Sequence, residues 1–283
     1  MSDQVSASTY VFYDYLPSFP AAATAVVLFA CVTFYHVWLI QHYRSWYFIP
    51  FIIGGIFQII GYSGRIWSHS DPSNIGGYIM QSTLILIAPA RYTTSIYLIL
   101  PRIIRALNGE SLSILPIRLV KRLFVICDII SLVLQAGGGG IEGNGNGDLG
   151  RRLIVGGLFV QIFMFGFFFV ISIPFNRRIS EQPTALALSS TIKWKRHFFI
   201  LYITSILILV RTIFRIVEYL QGNDGFLISH EIFIYIFDAI LMFLVMLIFA
   251  VWYIGDLRQK RIENSESSME NLPLSAVEIP YKH

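Results

Sequence analysis

Eight charged side chains fall inside or at the ends of long apolar runs: Arg65, Arg91, Asp128, Arg211, Arg215, Glu218, Glu231 and Asp238. At membrane depth each costs at least about 2.5–3.5 kcal/mol, so such groups turn to a bundle interior and mark ion or substrate pathways. Arg211, Arg215 and Glu218 stand at i, i+4 and i+7, which puts all three on one stripe of a helix. Glu231, Tyr235, Asp238 and Met242 repeat that geometry in the next run, and Asp128 and Gln135 are seven apart with Ser131 on the adjoining face. A rise of about 1.5 Å per residue sets Arg211 about 12 Å and Asp238 about 13 Å below the same membrane surface. An Arg211–Asp238 pair is therefore expected, with Arg215 near Glu231 closer to that surface. Arg91 and Asp128 lie at similar depth from the opposite side and form a second candidate pair. Charges arranged this way either fix helix register or line a pathway, and the three stripes are expected to share one cavity.

The elements that must hold these residues follow from composition. The 283 residues are 55% apolar, 15% aromatic and 13% charged, against about 25% charged in a soluble domain. With a mean hydropathy of +0.64, that balance excludes an ordinary cytosolic globule and excludes disorder over most of the length. A helix needs about 20 mainly apolar residues to cross a bilayer, and seven stretches qualify: Phe19–Ile40, Tyr47–Ile66, Tyr78–Leu100, Leu123–Ala136, Leu153–Pro174, Phe198–Val217 and Ile232–Ile254. The fourth is the weakest and must borrow neighbouring residues to reach full length. The runs lack the period-2 alternation of a membrane barrel. The expected fold is all-α, a polytopic bundle of seven transmembrane helices over residues 19–254. An external segment, 1–18, precedes it, and a polar, disordered cytosolic tail, 255–283, follows.

Orientation comes from the basic residues. Fifteen lie on alternate segments: Arg44; Arg102, Arg105, Arg118, Lys121 and Arg122; Arg177, Arg178, Lys193, Lys195 and Arg196; and Arg258, Lys260, Arg261 and Lys282. The opposite side has only Arg151 and Arg152. The N-terminus is expected outside and the C-terminus in the cytosol. No cleavable signal is expected, because no basic region precedes the first span. The net charge of +4 does not point to nucleic acid, since the basic residues flank apolar spans. Cys31 and Cys127 lie in apolar runs and support no disulfide framework, and the six histidines have no ligand spacing, so no metal is expected.

From Gly137 to Gly150 eight of fourteen residues are glycine. The run lacks the Gly-Lys-Ser/Thr ending of a phosphate loop and follows no strand, so no nucleotide is expected as a partner or cofactor. Its first members, Gly137, Gly138 and Gly139, suit close helix approach or a hinge at the end of span four, and the rest reads as a flexible external loop. Pro89 and Pro101 suggest that span three is kinked or interrupted. The phenylalanines of span five (Phe163, Phe165, Phe167, Phe168, Phe169) read as lipid-facing or packing residues.

Five strings then stand out in order: QSTLILIAPA (Gln81 to Ala90), DIISLVLQAGGG (Asp128 to Gly139), GGLFVQ (Gly156 to Gln161), RTIFRIVEYLQGNDG (Arg211 to Gly225) and HEIFIYIFDAILM (His230 to Met242). From about Tyr15 to Tyr253 the chain resembles the fungal lipid-translocating exporter family, the RTA-like seven-span resistance proteins. The resemblance implies a plasma-membrane or endomembrane protein that releases or translocates amphipathic lipids such as sphingoid long-chain bases, with resistance to toxic amphiphiles or porphyrin uptake and efflux in some branches. It carries over Gln81, Asp128, Gln135, Arg211, Arg215, Glu218, Gln221, Glu231 and Asp238, with Gly61, Tyr62 and Arg65 at the end of span two, and Gly222 after Gln221 reads as a structural residue of the same string. Gln58 stands where such proteins often carry an acid, and Arg91 where an apolar residue usually follows Ala-Pro-Ala.

Two other classes compete with a translocator of membrane lipids or amphipathic small molecules. A seven-helix receptor or sensor shares the layout. However, no span holds a lysine for a retinal Schiff base, no Asp-Arg-Tyr ends span three, and no Asn-Pro-x-x-Tyr ends span seven. An intramembrane enzyme would need a nucleophile or metal constellation, and none is apparent, so no catalytic activity is expected. A homo-oligomer is compatible with this composition.

Overall fold

A computed structural model describes residues 17–71, 74–143, 146–188, 193–222, 225–227 and 230–254. The expected external segment, up to residue 16, and the expected cytosolic tail, from residue 255, lie outside the described residues. Seven long helical rods occur among the described residues: α1 Phe19–Tyr43, α2 Ile49–Ser70, α3 Ile75–Ala106, α4 Ile117–Gly143, α5 Gly147–Glu181, α6 Trp194–Gln221 and α7 Glu231–Val251. By length and composition six of them can cross a membrane, and α4, the run flagged as weakest, is the exception. Its 27 residues are long enough, at about 1.5 Å each. It begins among Arg118, Lys121 and Arg122 and carries Asp128 at mid-length, which dilutes its apolar character.

Local chemistry sets several helix ends. Pro20 and Pro50 occupy the first turns of α1 and α2, where a missing N–H is harmless and φ is already helical. The Asn74 side chain caps α3 by accepting from the Gly76 and Gly77 amides at 2.9 and 3.4 Å. At the end of α6, Gly222 has a φ of +77°, a conformation that side chains rarely adopt. A Cβ there would also meet the Arg151 guanidinium.

Each helix packs on the next, α7 returns to α1, and α3 also touches α6. The third helix is the most enclosed of the six apolar rods. The core runs along it, through Tyr92, Ile96, Tyr97, Leu100 and Ile103. There Tyr97 stacks on Phe124 of α4 at 4.1 Å and meets the edge of Phe165 of α5 at 5.9 Å. Span five therefore divides: Phe165 and Phe168 are buried, while Phe163 is 70% exposed. Val27, Phe34, Val133, Val170 and Leu220 likewise face outward, giving an apolar exterior.

The structure corrects two expectations. Helix α3 is not interrupted at Pro89 or Pro101, and the Ile85 carbonyl that Pro89 strands is taken by a side chain of α6. The glycine run is mostly helix, with α4 continuing to Gly143 and α5 opening at Gly147. Small residues let the two axes close. A Cβ on Gly138 would stand 2.7 Å from the Gly150 carbonyl, and one on Gly157 would stand 2.9 Å from that of Ser131. Gly139 packs on Thr83 of α3, while Gly137 faces open space. Arg151 and Arg152 consequently lie in the first turns of α5 rather than in a loop.

Candidate functional site

Arg211 and Asp238 form an ion pair with both side chains at 0% exposure. Arg215, one turn along α6, pairs with the other oxygen of Asp238 and donates to Glu218 Oε2 at 2.7 Å. One carboxylate of α7 thus sits between two guanidiniums of α6, and Glu218 supplies the second negative charge. Unlike-charge partners of this kind are what allow charges to be buried at all.

Arg211 also donates to the backbone carbonyl of Ile85 on α3, at 3.0 Å. Ile85 is four residues before Pro89, and proline lacks the N–H that would have bonded to that carbonyl. The proline of span three therefore frees an acceptor, and the arginine of span six fills it. Thr93 hydroxyl donates in turn to the Pro89 carbonyl at 2.9 Å.

Glu231 does not pair with Arg215 as expected. Arg65 of α2 takes it, donating from Nε and Nη2 to Oε1 at 3.2 and 2.9 Å. The reason lies in the backbone of α7, which is a π-helix from Tyr235 to Ile240. Seven residues of α-helix nearly complete two turns, which underlay the single stripe of Glu231 and Asp238. A π turn holds more residues and winds less per residue, so the two acids separate onto different faces. Glu231 then reaches α2 and Asp238 reaches α6. Between them the Arg65 guanidinium lies 5.5 Å from the centroid of the Tyr235 ring, and Tyr62 stacks on the same ring at 6.1 Å. Gly61 permits this packing of α2 on α3, since a Cβ there would stand 2.7 Å from Ile85.

Helix α4 belongs to a second network. Asp128 pairs with Arg91 at 3.4 Å and accepts from the Thr94 hydroxyl. Gln135 donates to Ser131 at 2.8 Å, and Ser131 donates to the Gly157 carbonyl of α5 at 2.8 Å. The described contacts thus divide the three expected stripes. Those of α6 and α7 meet with α2 and α3, whereas that of α4 is turned toward α3 and α5, because α3 stands between them. Ile85 and Thr94, the α3 members of the two networks, are nine residues apart, about 13 Å along the helix.

Of the remaining sequence candidates, Gln81 is buried on the α2-facing side of α3 with its side-chain oxygen unpartnered. Gln221 accepts from the Leu227 amide at 3.3 Å in the turn after α6. Gln58, the departure in span two, is fully buried with both amide atoms unpartnered. Sequence reasoning missed the partners of Arg65, Thr94 and Ile85. Two were signalled: Arg65 ends span two on the same side as Glu231 begins span seven, and any carbonyl four residues before an internal proline is orphaned. The π segment had no sequence signal. Among the described residues no cluster of three or more His, Cys, Asp or Glu side chains is placed to hold a metal ion.

The family described as RTA1 like protein matches residues 51–261. The chain belongs to this RTA1-like family. That match takes in the arginines, acids and glycines of both networks and confirms the resemblance carried by the five strings. Protoporphyrin uptake protein 1 of Saccharomyces cerevisiae is 42% identical over 205 residues, 72% of this chain and 67% of that protein. Protein RTA1 of the same yeast is 40% identical over 72% of this chain and 64% of its own length. Sphingoid long-chain base transporter RSB1, also from that yeast, is 29% identical over 85% of this chain and 72% of that protein. The aligned part thus spans about two thirds of the first two relatives. No solved structure matches the chain. With six apolar helices of membrane-crossing length, this member of the family is an integral multi-pass membrane protein.

Proposed function

We propose that this RTA1-like protein translocates amphipathic lipids of the sphingoid long-chain-base type across the membrane in which it sits, most simply the plasma membrane, and so confers resistance to such compounds. The reading rests on the ion network of Arg65, Arg211, Arg215, Glu218, Glu231 and Asp238. A bundle that needed only packing would be better served by apolar residues, since buried ion pairs seldom add net stability. Acids at depth can neutralise a cationic head while apolar walls accept the tail, and arginines can exchange partners as the head passes. A relative named as a sphingoid long-chain base transporter supports the same substrate class.

In this reading α4 is the seventh crossing, the N-terminus is outside and the C-terminus is cytosolic, as the fifteen-to-two division of basic residues argues. The chain acts without catalysis or a cofactor, so uphill movement draws on an ion gradient, the membrane potential or a partner. The purified protein in phospholipid vesicles tests this. Labelled long-chain base is expected to cross the bilayer faster than in protein-free vesicles. Saturable binding with no added movement would instead make the protein a sensor.

A further inference from the structure

A cleft of about 370 Å³ lies in the seam between α1 and α7, within the range of about 300–1,000 Å³ typical of small-molecule sites. Ala21 and Phe29 form its α1 side, and Tyr235 and Ala239, both in the π segment, form its α7 side. The small side chains of Ala21 and Ala239 leave the room. Leu28 and Ile240, also in its lining, are exposed apolar residues, so in a bilayer the cleft opens toward hydrocarbon.

Charge lies just past the Tyr235 end of the cleft, outside its apolar lining. The Ser18 amide, immediately before α1, donates to Glu231 Oε1 at 2.7 Å, which ties the start of α1 to the start of α7 one turn beyond Tyr235. The same oxygen takes Arg65, whose guanidinium lies over the Tyr235 ring. In this pair the Arg65 side chain is 2% exposed and that of Glu231 is 20% exposed. Of the two, the carboxylate is the more accessible, one turn of α7 before the cleft residue Tyr235.

We propose that the α1–α7 cleft is a lateral binding site for one hydrocarbon chain of an amphiphile whose ammonium head docks on Glu231. This rests on the lipid-translocator reading and adds to it a place of entry. A chain already in lipid gains only packing by moving into an apolar slot, because the hydrophobic drive is spent. Selection must come from the head, through a charge-assisted bond from ammonium to carboxylate. A carboxylate offers about four acceptor sites, so Glu231 can bind the head while keeping Arg65 and Ser18.

The test uses the full chain in phosphatidylcholine nanodiscs and a long-chain primary amine with a mid-chain diazirine. Irradiation is expected to label peptides within 20–29 and 235–243. Unlabelled long-chain amine should compete, and a fatty acid of equal length should not. Ala239→Trp is expected to cut labelling about tenfold, and Ala21→Leu serves the same purpose should the tryptophan variant fail to fold. Glu231→Gln should weaken competition by the amine about tenfold. Label spread over outward residues such as Phe163 and Val170, or equal competition by the fatty acid, overturns the proposal. Flux measured on the same protein in vesicles separates the two claims. Movement with labelling elsewhere removes the cleft and leaves the translocator, whereas cleft labelling with no movement keeps the cleft and removes translocation.

Discussion

Arg211 satisfies its charge with acceptors of different origin, a side chain from α7 and a carbonyl that Pro89 has released on α3. Removing either acceptor has a different consequence. Asp238→Asn leaves two buried guanidiniums with Glu218 as their remaining carboxylate in the network, and breaking a buried pair this way costs about 3–5 kcal/mol. A clear fall in the thermal midpoint of the purified protein is expected. Arg211→Gln alone should cost as much, while Arg211→Gln with Asp238→Asn should recover most of the loss, as coupled neighbours do. Pro89→Ala restores an N–H that can bond to the Ile85 carbonyl. The helix gains a bond of about 0.5–1.5 kcal/mol net while Arg211 loses an acceptor of similar worth. The thermal midpoint should therefore move little, and transport of long-chain base should fall. The Arg211–Asp238 and Arg91–Asp128 pairs were legible in the sequence because depth along a helix is simple arithmetic. The pairing of Glu231 with Arg65 was not, because it depends on a local change in winding that no residue type announces.

At the scale of elements, α4 and α5 show how glycine lets two helix backbones approach closely. Packing there depends on how closely backbones approach, and adjacent glycines on α5 provide an internal comparison. A Cβ on Gly157 would stand 2.9 Å from the Ser131 carbonyl, whereas Gly156 has nothing within 4 Å. Gly157→Ala is expected to destabilise by about 1–3 kcal/mol, as overpacking does, and Gly156→Ala to be neutral or slightly stabilising, since alanine is the better helix former by about 1 kcal/mol. Thermal unfolding of the two variants side by side checks this, and equal effects would contradict the close-approach account. Helix identity was readable from apolar run length for nearly every span. The ends were less so. The sequence suggested a loop after Gly139, yet contact with α3 and α5 accompanies helix up to Gly143 and again from Gly147, and contacts of that range leave no local pattern.

Across the whole molecule, α3 is the spine. It divides the polar interior into the α2–α6–α7 network on one side and Asp128 with Gln135 on the other, whereas the sequence alone suggested a single shared cavity. Helix periodicity tells which residues share a stripe but not which neighbour that stripe faces, so the grouping of helices had to come from the fold. The central claim is that the ion network serves passage of an amphiphile rather than helix register alone. The most direct measurement is transbilayer flux of labelled long-chain base in vesicles holding either the native protein or the Arg211→Gln, Asp238→Asn double variant, each first shown to have a similar thermal midpoint. The account predicts flux from the double variant no faster than from protein-free vesicles. Flux equal to that of the native protein would contradict it and leave the network a structural clamp.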